Sequence, residues 1–138
     1  MKSASEIVAL VRGFEECTLP KAEWTHHAHL TVALCYLRHL EREEATTRLR
    51  EGIQHYNRTA GGSPHGYHES ITLAWVAVLT RFLAEHDRGQ SQAELTRLLI
   101  AECGDKDYLL RYYSRAVLLS DAARHGWVPP DLQPIERG

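Results

Sequence analysis

Strand signals are nearly absent from this chain, so a fold built on a β-sheet is excluded at the outset. Cysteine is scarce. Cys17, Cys35 and Cys103 are odd in number and show no CxxC spacing, which argues against a secreted disulfide framework. A reducing cytoplasm is the expected compartment. No stretch approaches the ~18–20 apolar residues of a membrane span. The first apolar run, Ile7 to Val11, follows a single basic residue, Lys2, and is cut by Arg12, so no signal peptide is expected. An excess of charge of one sign is also missing. Lys and Arg total 16 against 18 Asp and Glu, a formal charge of −2, which excludes a strongly basic nucleic-acid binder and an acidic tail. No lipidation motif, internal repeat or low-complexity tract is visible.

What the chain does have is ordinary globular composition, with 43% hydrophobic and 25% charged residues among 138. That length suffices to bury roughly two-thirds of the unfolded surface. Neither disulfides nor a metal is needed merely to fold, so any metal would be functional.

Capped, amphipathic helices account for most of the sequence. Ser3-Ala4-Ser5-Glu6 is a capping box in which hydroxyl and carboxylate satisfy free first-turn amides. Ile7, Leu10, Val11 and Phe14 then follow the i, i+3, i+4, i+7 spacing of one buried face, predicting a helix over about 4–16. A break at Thr18-Leu19-Pro20 precedes a second helix over about 25–40, with the stripe Leu30, Ala33, Leu34, Leu37, Leu40. A third, over 43–57, turns Ala45, Leu49, Ile53 and Tyr56 inward. No Gly or Pro divides these two, but the centre of the apolar stripe shifts by more than a third of a turn between Leu37 and Leu49. One straight helix cannot bury both, so a tight turn is expected within Leu40-Glu41-Arg42-Glu43. After the loop 59–66, a fourth helix over about 67–85 buries Ile71, Trp75, Val78, Leu79 and Phe82. Ser91-Gln92-Ala93-Glu94 opens a fifth that runs to Glu102. Gly104 stops it, Asp105 caps a sixth over about 106–124, and Gly126 ends that one.

The expected architecture is all-α: a single-domain antiparallel bundle of five to six helices over 1–126. An extended C-terminal arm over 127–138 is anchored by Trp127 and Val128. Alternating directions would gather WTHHAHL (24–30), PHGYHE (64–69) and DKDY (105–108) at one end.

There are nine histidines. His39, His86 and His125 sit near helix ends away from this region and read as solvated, and His27 points to the polar side. His26 and His29 fall in the apolar sector with Leu30, Ala33 and Leu37, and His68 shares a line with Trp75 and Leu79. Burial and the positive end of a helix both disfavour imidazolium, and neutral imidazole is what a transition metal takes. His26, His29 and His68 would form a three-nitrogen face with an open position, the pattern of catalytic sites. His65 adds a second HxxH, and Glu69 a fourth ligand or a general base. Asp105 would accept the free N–H of a ligating His. Tyr108 and Tyr112 are further catalytic candidates, and Tyr56, Tyr67 and Arg111 candidates for substrate binding. Cys17 and Cys103 also fall at this end, with buried, reduced core residues as their default; Cys35 lies on the outer side.

Two functions follow. One is a small metal-dependent enzyme acting on a small-molecule substrate, its divalent transition metal (iron, zinc or copper) held by the histidines. The other is a non-catalytic bundle that binds a small ligand or a protein partner, its inward histidines forming a hydrogen-bond network. No nucleic acid or membrane partner is expected, and a homodimer is open.

Overall fold

The structure is a computed structural model that describes residues 2–61 and 66–136. It is an all-α bundle. Ser3 caps α1 (Ala4–Glu15) with the full reciprocal box: its hydroxyl accepts from the Glu6 amide, and the Glu6 carboxylate accepts from the Ser3 amide. A 3₁₀ turn, Lys21–Glu23, leads into α2 (His26–His39). Leu40 and Glu41 are extended, and α3 (Arg42–Tyr56) starts directly after them. The break thus falls where the phase of the apolar stripe demands it. A π-helical turn, Asn57–Gly61, ends α3; α4 (Glu69–His86) and α5 (Gln92–Cys103) follow.

α2 packs against α1, α3, α4 and α5. Residues on nearly every side of it are therefore buried, including Ala28, Thr31, Val32, Leu34 and Tyr36. It is the axis of the bundle rather than one wall. Its C-terminal end is fixed by Arg38, whose guanidinium donates to both Asp87 carboxylate oxygens (3.0 and 3.2 Å), to the Gln90 carbonyl (2.7 Å) and to Gln92 (3.2 Å).

The sixth helix expected over 106–124 is not continuous. The chain instead forms a 3₁₀ turn (Tyr108–Arg111), α6 (Arg115–Leu118) and α7 (Asp121–His125). Two serines cause the interruptions. Ser114 and Ser120 are extended, and their hydroxyls accept from the Val117 and Ala123 amides. Each therefore starts a new helix where a periodic reading would continue the old one. Asp105 does not cap a long helix either; its carboxylate accepts from the Asp107 amide in a local turn (2.8 Å).

The arm beyond Gly126 has no helix or strand among its described residues and is stitched to the bundle. The Val128 amide donates to Ser70 (2.9 Å), Tyr113 to the Val128 carbonyl (2.6 Å), and Arg81 to the Ile135 carbonyl (2.9 Å). Its apolar anchor is Ile135, at 4% exposure, and not Trp127, which is 46% exposed. No described helix is long and apolar enough to cross a membrane.

Candidate functional site

Thr25 determines where α2 begins. Its hydroxyl accepts from the Ala28 amide (3.2 Å), which places His26 at the first helical position. His29, one turn later, shares its side of the helix. Both rings line a cavity of about 100 Å³ between α2, α3 and α4. The remaining wall is apolar, chiefly Leu30, Ala33, Leu49, Ile53, Ile71 and Trp75, with the Thr72 hydroxyl the exception. That hydroxyl donates to the His68 carbonyl (3.0 Å), which leaves its lone pairs to accept.

The Nε2 atoms of His26 and His29 are buried without a hydrogen-bond partner, and so is Trp24 Nε1. An unmet buried polar atom costs about 1–3 kcal/mol, and most are satisfied in folded proteins. Finding two on one helical turn beside one cavity is therefore informative. His29 lies against Trp24 with ring centroids 3.8 Å apart, and His26 lies 5.4 Å from Trp75.

Both imidazoles are neutral at pH 7. Burial pulls His29 down to about 4, with His26 adding to the shift. Burial and then His27 lower His26, opposed by the backbone and the charge of Asp105. Nε2 is the ring atom of each imidazole that is buried without a partner. A neutral ring protonated at Nδ1 presents a lone pair at Nε2.

The other expected site residues lie elsewhere. His68 is the N-cap of α4 rather than part of it, and both its ring nitrogens are engaged. Nδ1 accepts from the Ile71 amide (3.1 Å), which places the proton on Nε2, 2.7 Å from the Leu118 carbonyl. It has no lone pair left for a metal. Glu69 accepts both forks of Arg50 (3.0 Å each) and the Tyr67 phenol (2.5 Å), outside the histidine cavity. The hydrogen bonds from Arg50 hold its carboxyl below the usual range. Tyr56 is fully buried and donates to the Leu19 carbonyl (2.6 Å).

Tyr108 stacks behind Trp75 at 5.6 Å, and both Tyr108 and Tyr112 are hydroxyl partners of Arg81. Arg111 lies over the Tyr108 ring at 4.0 Å. None of Tyr56, Tyr108, Tyr112 and Arg111 lines the cavity. Asp105 is beside His26, as the sequence suggests, but through its backbone. His27 Nε2 is 3.1 Å from the Gly104 carbonyl. Of the histidines expected to be solvated, His86 is 3.2 Å from Glu102, and His125 Nδ1 is 3.0 Å from the Asp121 carbonyl. The three cysteines are free thiols, Cys103 buried. His65 lies outside the described residues. Among the described residues, no group of three or more His, Cys, Asp or Glu is arranged to hold a metal ion.

Sequence reasoning put Trp24 at the site's end without a role, passed over Thr72, and read Trp75 simply as core. A signal for Thr72 was present: it lies one turn beyond His68 on the helix line facing α2. Compared with known proteins, the chain matches no family model, no curated protein and no solved structure.

Proposed function

We propose that this chain is a small-molecule-binding helical bundle whose ligand occupies the cavity at His26 and His29. The carrying observation is the pair of buried, neutral imidazoles with unpartnered Nε2 atoms on one apolar cavity. A cavity near 100 Å³ has room for a ligand of only about four to five heavy atoms, given that benzene, with six, fits one of about 150 Å³. Apolar walls supply affinity and the ring nitrogens fix orientation. The ligand is therefore a compact, mostly apolar molecule with a polar group. The lone pair of His26 accepts a hydroxyl or amine proton from it.

A second reading places a divalent transition metal (iron, zinc or copper) on the same two nitrogens and makes the chain a metal-dependent enzyme. Its support is that both rings are neutral, as metal ligation requires. It needs further donors from outside the chain's described residues, because Glu69 is held by Arg50 and the Asp105 carboxylate by the Asp107 amide.

The test is calorimetric titration with 1-butanol and separately with zinc. It uses the wild type, Ala33→Leu, His26→Ala and His29→Ala. Ala33 lines the cavity, so leucine there fills it. The reading expects 1-butanol to bind the wild type and not Ala33→Leu, whose Tm is kept or raised. Equal binding to both, or no binding of 1-butanol, overturns it. Stoichiometric zinc lost in both histidine variants favours the metal reading.

A further inference from the structure

We infer that a second pocket, where α1, α2 and α5 meet, binds a small amphipathic carboxylate, its apolar body against α5 and its head on Thr96, Arg97 and Lys2. This pocket shares no lining residue with the cavity at His26 and His29, and the inference does not depend on that cavity.

α5 has two working faces. Leu95, Leu99 and Cys103 are buried in the core. Ala93, Thr96, Arg97 and Ile100 follow the i, i+3, i+4, i+7 spacing of a different side and line one wall of the pocket. Facing that wall are His27 and Thr31 of α2 and Glu6 of α1. The three helices pack on one another, but the small side chains of Ala93 and Ala101 leave a space of about 570 Å³ between them. That volume falls within the ~300–1,000 Å³ of small-molecule sites.

The polar groups around this space have protons to give. Thr31, Thr72 and Thr80 each donate the hydroxyl proton to the carbonyl four residues earlier, at 2.7–3.0 Å. Thr96 does not. Its hydroxyl accepts from Gln92 (3.5 Å) and donates to no group among the described residues, although Thr96 is only 6% exposed. A hydroxyl so deeply buried with its proton free calls for an acceptor. Arg97 follows it directly on the same wall, and Lys2 stands at the start of the chain's first helix. Both cations are exposed and form no ion pair or hydrogen bond among the described residues. The one carboxylate in the lining, Glu6, already accepts from the Ser3 amide in the capping box (3.0 Å). The lining therefore carries one cation in excess, on a chain whose formal charge is −2.

Hydroxyl, guanidinium and ammonium all donate, and a carboxylate only accepts. Guanidinium also takes a carboxylate through two parallel hydrogen bonds. Ala93, Ile100, Ala101 and the aliphatic stem of Arg97 give the rest of the ligand an apolar bed.

The experiment titrates octanoate, 1-octanol and octylammonium by calorimetry and locates each by backbone ¹⁵N shifts. All three are too large for the cavity at His26 and His29. Wild type, Arg97→Glu and Thr96→Val are used, with Tm as the check on folding; the exposed Arg97 position leaves the fold intact if the buried one does not. Octanoate is expected to bind about tenfold more tightly than 1-octanol and to shift residues 93–101 together with His27 and Thr31. Arg97→Glu should abolish that advantage. Thr96→Val should weaken octanoate several-fold and leave 1-octanol unchanged. Equal affinity of octanoate and 1-octanol, a preference for octylammonium, or no octanoate binding overturns the inference. So does an advantage that survives Arg97→Glu, or shifts confined to another face. None of these outcomes bears on the cavity reading, which 1-butanol and Ala33→Leu test separately.

Discussion

His29 and Trp24 lie 3.8 Å apart, centroid to centroid, and each carries a buried ring nitrogen without a partner. Trp24 in turn stacks on Phe14 at 4.5 Å, and Tyr56 flanks both Trp24 (5.4 Å) and Phe14 (6.0 Å). Residues of α1, α2 and α3 thus meet in one aromatic cluster that fixes the His29 ring.

Gly52 makes room for that cluster. A Cβ there would stand 2.8 Å from Phe14 Cζ. Exposed mid-helix Gly→Ala normally gains about 1 kcal/mol. Here Phe14 is 1% exposed and held by Trp24, so it cannot yield freely. Gly52→Ala is expected to destabilise by about 1–2 kcal/mol, read from the urea midpoint. A rise in the midpoint would contradict the packing described.

Acid should weaken the fold through His29. Its folded-state value, about 4, is below the ordinary 6.5, so the unfolded chain takes up a proton first. The contribution is intact above roughly pH 7 and is lost as pH falls from 6.5 toward 4. His26 acts in the same direction. Between pH 7.5 and 5, wild type should lose about 2 kcal/mol more than His29→Leu. Equal losses in chemical denaturation would refute the burial assigned to this ring.

Arg38 ties the end of α2 to the turn between α4 and α5 through four hydrogen bonds. Arg38→Ala should cost about 2–3 kcal/mol, mostly by stranding Asp87 and the Gln90 carbonyl. Arg38→Lys should recover little, because an ammonium cannot fork onto Asp87 while reaching Gln92. Full recovery by lysine, seen in thermal unfolding, would show that charge alone matters there.

His68 is a capping residue in this account. Replacing it with alanine removes the Ile71 cap and the Leu118 contact and should cost about 2–3 kcal/mol. Asparagine should restore the cap alone, about 1 kcal/mol of that loss. Neither variant should change the affinity for 1-butanol once folding is allowed for. A specific loss of ligand or metal binding in His68→Asn would return this residue to the site.

Helix positions and the α2–α3 break were readable because apolar spacing reports a buried face directly, and the phase change between Leu37 and Leu49 forces a turn. The placement of His26 and His29 was readable for the same reason, since they share a sector with Leu30 and Ala33. His68 was misplaced because periodicity does not fix a first turn: an imidazole standing in for a capping hydroxyl looks like one more inward residue. Ser114 and Ser120 divide one apolar pattern into short helices through hydroxyl–amide bonds that a wheel does not register. The capture of Glu69 by Arg50, 19 positions earlier, depends on how α3 and α4 are juxtaposed. Neighbouring residues do not announce that pairing.

The most direct measurement is a crystal structure of the protein soaked in 1-butanol. The account predicts the alcohol among Leu30, Ala33 and Trp75, its hydroxyl within about 3.2 Å of His26 Nε2 or His29 Nε2. A collapsed cavity, with each Nε2 bonded to a protein atom and no alcohol beside it, would contradict it.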